Sequence, residues 1–213
     1  SYLPKKTLSN NDLPDQLDTS DEWIKKRTGI RQRHLVSEGE FTSTMAVLAA
    51  KQALFKAEID SKEIDLVIVA TTTPDQTFPA TAVKVQSELN INYGPAFDLQ
   101  AVCAGFIYAL NVGSSLLKTT DFNKALVIGS ESFSKILDWN DRSTSVLFGD
   151  GAGAFVLEKR KKCHNWGILS SNFYSDGKFS DILYTDGGPA LNAKVGKVRM
   201  NGKEVFKHAV EKL

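Results

Sequence analysis

The sequence contains only two cysteines, Cys103 and Cys163. Two thiols are too few for a disulfide framework or a cysteine-built metal site, and such sparing use suits a reducing cytoplasm. A continuous apolar run long enough to span a bilayer is missing, and no segment has the layout of a secretory signal. Both absences argue against export and insertion. An excess of charge of one sign is missing too, since the formal net charge is +1. Nothing global therefore points to nucleic acid or to a membrane surface. No repeat at solenoid periods and no low-complexity tract occurs. The first residue is Ser1 rather than methionine, which suggests a piece of a longer product.

What is present is ordinary for a globular protein: 42% apolar and 24% charged residues over 213 positions, enough for one large domain or two small ones. A basic run, Lys25-Lys26-Arg27 with Arg31 and Arg33 beyond it, reads as a solvated face. Short β-rich apolar runs alternate with helical patterns, the mark of an α/β fold. Thr19 with Glu22 three positions later predicts a capping box opening a helix that Gly29 closes. Met45, Leu48, Ala49 and Phe55 predict a helix over 42–56. The run from Ile64 to Ala70 predicts a buried strand, and Pro79 is expected at the first position of the next helix. Ala96-Phe97-Asp98-Leu99 predicts a strand leading into Cys103, followed by a helix with Phe106, Ala109, Leu110, Gly113 and Leu117 on one face. A further strand is predicted over 125–129. Gly149-Asp150-Gly151 is expected to join two strands as a tight hairpin. A linker is expected over 158–165, then a strand over 166–172, a loop region through Gly188 and a last helix from near Glu204.

Cys103 stands where a strand gives way to a helix. A thiolate is the effective nucleophile, and the unpaired N–H groups and positive dipole end of a helix start favour an anion there. Small neighbours, Ala101, Ala104 and Gly105, leave room for a substrate to reach the sulfur. A free cysteine is equally a small buried hydrophobe, and position alone does not separate the two readings. The glycine cluster Gly149-Asp150-Gly151-Ala152-Gly153 lacks both the Lys-Ser/Thr pair of a phosphate loop and the dinucleotide fingerprint spacing. Cys163-His164 has too few neighbouring ligands for zinc.

Ala101-Val102-Cys103-Ala104-Gly105-Phe106 resembles the active-site segment of the β-ketoacyl-acyl-carrier-protein synthase III family. Thr19-Ser20-Asp21-Glu22-Trp23-Ile24 with Arg27-Thr28-Gly29-Ile30 is similar to the family's N-terminal signature. So are Ala70-Thr71-Thr72, Phe78-Pro79 and Pro95-Ala96-Phe97-Asp98. Asp141-Arg142, the segment from Phe148 to Ala154 and Asn201-Gly202-Lys203-Glu204-Val205-Phe206-Lys207 follow in the family's order. The resemblance covers the whole chain and implies a thiolase-like layered αβαβα fold. Residues 1–159 would form the N-terminal half carrying the nucleophile, and 160–213 the beginning of the second half. It also implies that the family's first strand and much of its second half lie outside this stretch, so a protein of roughly twice the usual domain size is expected.

For chemistry, the resemblance implies an acyltransferase that initiates fatty-acid biosynthesis. Cys103 would load a short acyl group, acetyl first, from acyl-CoA and condense it with malonyl-acyl carrier protein, with loss of carbon dioxide. The Cys103 N–H would serve an oxyanion hole. No cofactor is implied, because the CoA thioester is a substrate, and no metal. Trp23 is implied to stack on the adenine with Arg142 on its other side, and Arg27 to lie near the CoA phosphates. Read alone, these are a core tryptophan and surface arginines. The acyl pocket is implied to draw on Phe148, Leu183, Met200 and Phe206, with Gly202 letting the pantetheine arm pass; read alone, they are core residues. Phe78 is implied to reach into the partner's pocket of a homodimer and to help set acyl length. The basic cluster from Lys25 to Arg33 could assist an acidic carrier protein. The family's decarboxylating histidine and asparagine have no counterpart here. His34 and His164 are expected to be exposed, and His208 to lie on the surface of the last helix. Rival readings are another thiolase-fold acyltransferase, of polyketide or hydroxymethylglutaryl-CoA synthase type, or a non-catalytic acyl-binding protein.

Overall fold

The computed structural model describes residues 1–160 and 167–212. In chain order the elements begin with β1 (Lys6–Ser9), α1 (Asp21–Thr28), β2 (Gln32–Leu35) and α2 (Thr42–Ala57). Then come β3 (Leu66–Ala70), α3 (Thr81–Glu88), β4 (Ala96–Leu99), α4 (Gly105–Thr119) and β5 (Lys124–Ser132). The remainder is α5 (Arg142–Ser145), β6 (Asp150–Glu158), β7 (Leu183–Thr185), α6 (Pro189–Asn192), β8 (Val198–Met200) and α7 (Gly202–Lys212). The α/β alternation expected from the sequence is what forms. Among the described residues no helix is long and apolar enough to cross a membrane.

The chain divides into two compact units. The first comprises Ser1–Pro4, Ser37–Glu131 and Gly151–Phe173, and the second Lys5–Val36, Ser132–Asp150 and Tyr174–Leu213. In the first unit a sheet of order β4-β3-β5-β6 forms the centre. β3 runs parallel to both neighbours, with Val67 opposite Ala96 on one side and opposite Leu126 on the other. All five residues of β3 are buried, which is why its sequence, Leu-Val-Ile-Val-Ala, is apolar without interruption. Side chains alternate between the faces. Val67 and Val69 pack with Ala46, Ala50 and Leu54 of α2 and with Ala82 and Val85 of α3. Leu66, Ile68 and Ala70 pack with Ala109 and Leu117 of α4. Each fully buried aliphatic side chain contributes roughly 1.5–3 kcal/mol.

Several expectations need correction here. Phe55, assigned to the buried stripe of α2, is 84% exposed, because Leu54 one position earlier already occupies the inward face. Pro79 does not open α3. The Asp98 carboxylate accepts from the N–H groups of Thr81 (2.7 Å) and Ala82 (2.8 Å), and so fixes the start of the helix at Thr81. Ser20, not Thr19, caps α1: its hydroxyl accepts from the Trp23 N–H at 3.1 Å, and Gly29 at φ +74° closes the helix as expected.

The second unit is built from shorter pieces. β1 and β2 form an antiparallel ribbon, and β7 and β8 a second one. Arg33 is not on a solvated basic face. It is 4% exposed, because a strand alternates and β2 turns Arg33 and Leu35 inward. Its Nε and Nη2 both donate to the Val146 carbonyl, at 3.2 and 2.6 Å, and burial holds its pKa below the ordinary arginine value. The Gly149-Asp150-Gly151 hairpin does not form either. α5 precedes it, and β6 begins at Asp150 as one continuous strand. Asp150 is instead a buried tie, accepting from Val36 N at 2.7 Å, Ser134 N at 2.8 Å and Ser134 Oγ at 2.6 Å. A Cβ on Gly149 would stand 3.0 Å from the His34 carbonyl, which explains a glycine at that position. Of the linker expected over 158–165, Glu158 ends β6, and residues 161–165 lie outside the described residues, Cys163-His164 included. Trp166 lies outside them too, and 167–172 carry no strand.

Candidate functional site

β4 ends at Leu99, and two residues later the chain enters a single tight turn over Val102–Ala104 that passes into α4 at Gly105. Val102 takes φ +48°, a left-handed conformation that a β-branched residue rarely adopts and that costs of order 1–3 kcal/mol. Cys103 follows it, and its thiol is free and exposed. In the turn, Ala104 N–H donates to the Ala101 carbonyl at 3.1 Å and Gly105 N–H to that of Val102. The Cys103 N–H has no partner among the described residues. The structure thus sets aside the reading of Cys103 as a small buried hydrophobe. A sulfur, an unpaired N–H and the start of a 15-residue helix meet at one point.

The second unit brings Trp23, Arg27 and Arg142 together. Arg27 Cζ lies 4.2 Å and Arg142 Cζ 5.3 Å from the centroid of the half-buried Trp23 ring. α1 supplies the first two, and its lower side is fixed by Ile24 and Trp23 packing with Leu13, Leu17 and Val146. Arg142 opens α5, whose start is capped by Asp141 accepting from Ser143 N at 2.8 Å. Its Nη1 donates to the Asp18 carbonyl at 2.6 Å.

An apolar cluster in the same unit gathers Ile136, Leu137 and Val198 with Phe133, Trp139, Phe148 and Leu183. The rings of Phe133 and Phe148 lie 4.6 Å apart. Met200 is the register partner of Leu183, and a Cβ on Gly202 would stand 3.3 Å from its Cε. Four of the five residues assigned to the acyl pocket therefore belong to this cluster or its rim, while Phe206 on α7 is 71% exposed. Arg199 clamps the β7–β8 ribbon: Nη1 meets Asp138 at 2.8 Å and Nε meets Asp186 at 2.7 Å. The Lys197 N–H and then the Arg199 guanidinium hold the Asp186 carboxyl below the usual carboxylate range, and the guanidinium and then the Asn140 N–H do so for Asp138.

Phe78 lies in the first unit, 80% exposed, beside a cavity of about 570 Å³ lined in part by Thr72, Thr77, Phe97 and Gln100. The arm that carries it is tied to the sheet by Glu131, whose carboxylate accepts from Thr72 N at 2.7 Å and Thr73 Oγ1 at 2.6 Å. Burial pushes the Glu131 pKa up, against the pull of those hydrogen bonds. Glu131 and Arg199 belong to no motif in the sequence, and Asp98 and Asp150 stand there only within a strand and an expected hairpin. A charged residue near the end of an otherwise apolar strand, as Glu131 is between Ser130 and Ser132 of β5, is the signal available for the first. His34 is half-buried on β2 rather than exposed, and His208 packs its ring 4.0 Å from that of Phe179. His164 lies outside the described residues. Among the described residues no group of three His, Cys, Asp or Glu could hold a metal ion.

A family model for 3-oxoacyl-(acyl-carrier-protein) synthase III matches residues 97–177. The β-ketoacyl-(acyl-carrier-protein) synthase III of Wolbachia pipientis is 58% identical over 214 residues, covering 100% of this chain and 66% of that protein. The protein of the same name from Rhodospirillum centenum is 54% identical over 215 residues, covering 100% of this chain and 67% of its own length. Among solved structures, the 3-oxoacyl-(acyl-carrier-protein) synthase III of Aquifex aeolicus superposes with a TM-score of 0.89 at 45% identity, over 97% of this chain and 64% of that one. The chain thus spans about two thirds of the length of the curated relatives it matches.

Proposed function

The chain belongs to the β-ketoacyl-acyl-carrier-protein synthase III family of thiolase-like condensing enzymes, and on that footing we propose that Cys103 takes up a short acyl group, acetyl first, from acyl-CoA and delivers it to malonyl-acyl carrier protein. The observation that carries this reading is the placement of the Cys103 sulfur, exposed beside its own unpaired N–H at the entrance to α4. In the loading step the sulfur attacks the thioester carbonyl. A carbon–sulfur bond forms, the oxyanion accepts from the Cys103 N–H, and CoA leaves as a thiol carrying the proton that Cys103 gave up. In the condensing step malonyl thioester loses carbon dioxide, the resulting enolate carbon attacks the acyl-cysteine, and Cys103 departs as the thiolate.

Trp23 and Arg142 take the adenine between them on this reading, with Arg27 at the phosphates. A planar ring between two stacked groups needs a separation of about 7 Å. Arg142 Cζ stands 5.3 Å from the ring centroid, so on this reading Arg142 moves outward as the adenine enters. Phe148, Leu183, Met200 and Phe206 receive the acyl end, Gly202 passes the pantetheine arm, and Phe78 enters the partner's pocket in a homodimer. The enzyme needs no cofactor, because its acyl donor is a substrate, and it works in the cytoplasm at the first step of fatty-acid elongation. Residues 1–159 make up the thiolase-like half that holds the nucleophile, and 160–213 begin the second. A panel of acyl-CoA donors offered with malonyl-acyl carrier protein tests the reading. It predicts 3-ketoacyl-carrier product in step with carbon dioxide release, best with acetyl-CoA; acyl-CoA consumption without carbon–carbon bond formation would contradict it.

A further inference from the structure

Glu131 is a half-buried carboxylate that the chemistry above does not use. In β5 it follows Gly129, whose register partner is Ala70 of β3, by two positions, so it stands opposite Thr72 where β3 turns into the arm carrying Phe78. One carboxylate there serves three donors from two consecutive residues. Oε1 accepts from Thr72 N at 2.7 Å and Thr72 Oγ1 at 3.0 Å, and Oε2 from Thr72 Oγ1 at 3.0 Å and Thr73 Oγ1 at 2.6 Å. An apolar residue would end a buried strand at lower desolvation cost, so the carboxylate is explained by what it holds.

What it holds is the root of an arm fastened at further points. Thr42 Oγ1 donates to the Thr73 carbonyl at 2.6 Å, and the Asp75 carboxylate accepts from Ser43 N at 3.0 Å and Ser43 Oγ at 2.6 Å. Gln76 Nε2 donates to the Phe78 carbonyl at 2.7 Å, and Asp98 fixes the far end at Thr81 and Ala82. Polar bonds thus fix the backbone of the arm from Thr72 to Ala82, while the Phe78 side chain stays 80% exposed. An exposed aromatic on a backbone so tied is pre-organised for a fixed position in another surface.

We propose that Glu131 is a positioning residue for acyl-chain selection: by fixing Thr72 and Thr73 it sets where Phe78 stands, and hence how long an acyl group the pocket admits. The inference rests on the reading of Phe78 as an acyl-pocket residue. The test is a competition between acetyl-CoA and octanoyl-CoA for Cys103 of the purified protein, read as the ratio of the two adducts by mass spectrometry. Glu131→Ala lowers the acetyl preference about tenfold, and Thr73→Val, which removes one of the bonds at nearly constant volume, lowers it in the same direction. Glu131→Gln retains the preference to within about twofold, since its amide oxygen still accepts from Thr72 and its amide can donate to the Thr73 hydroxyl. An unchanged ratio in folded Glu131→Ala overturns the inference, and should that variant fail to fold, an unchanged ratio in Thr73→Val does so. No acylation of the unsubstituted protein by either donor overturns the acyl-transfer reading itself, and this inference with it.

Discussion

β3 in the first unit buries all five of its residues, whereas β7 in the second leaves Tyr184 and Thr185 exposed and half-buries Leu183. The two units hold their shape by different means. In the first, helices cover both faces of a sheet, and carboxylates serve the loops at its ends, Asp98 at α3 and Glu131 at Thr72 and Thr73. In the second, short elements pack on two small apolar clusters and are further tied by Arg199 between Asp138 and Asp186 and by Arg33 on the Val146 carbonyl. On the proposed function, the sheet would hold the Cys103 sulfur in place and the arginines of the second unit would meet an anionic donor.

The sharpest way to break this comparison is to cut the same kind of side chain from each unit. Val67→Ala, in β3, is expected to lower the free energy of unfolding by about 3 kcal/mol in urea titrations. Val198→Ala in the smaller cluster is expected to cost about 2 kcal/mol. Equal losses would mean that the second unit is as well packed as the first. Asp98→Ala leaves the first N–H groups of α3 unpaired and is expected to cost about 1–2 kcal/mol by the same measurement. If Trp23 stacks on the adenine as proposed, Trp23→Ala should raise KM for acyl-CoA about tenfold with kcat nearly unchanged, because a ring so placed would bind substrate and transition state alike. A fall in kcat without a rise in KM would remove Trp23 from the binding surface.

The smallest effect sharpens the comparison by sign. Asp138 and Asp186 have carboxyl groups held below the usual range, so the stability they contribute is present at neutral pH and is lost as acid protonates them. Both are partly exposed, so salt weakens this contribution. Glu131 is raised by burial, so its contribution is present in acid and is lost as pH rises through its folded value. Arg199→Met should therefore flatten the acid limb of the stability curve, and Glu131→Gln the limb above it. The same sign for both would contradict the stated causes.

The first unit was the legible one. β3 is a strand buried on both faces, so its apolar run could be read without knowing its neighbours, and the strand-to-helix setting of Cys103 followed from Ala96 to Leu99 and the stripe on α4. Three-residue strands such as β7 and β8 are too short to show a period, so neither is legible in the sequence. A run of basic residues says nothing of strand alternation, which sends Arg33 inward while Arg31 stays exposed. Pro79 reads as the first residue of α3 because the residue that fixes the start of that helix, Asp98, lies far along the chain on β4. The grouping of Trp23 with Arg142 came from family resemblance, since 119 positions apart nothing local connects them.

The central claim is that the sulfur of Cys103 accepts an acyl group. Incubating the folded protein with acetyl-CoA, digesting it and locating the adduct by mass spectrometry tests this most directly. The account predicts one acetyl group, carried by the peptide containing Cys103, released by hydroxylamine and absent from Cys103→Ala. A protein that stays unmodified at Cys103 while remaining folded would contradict it.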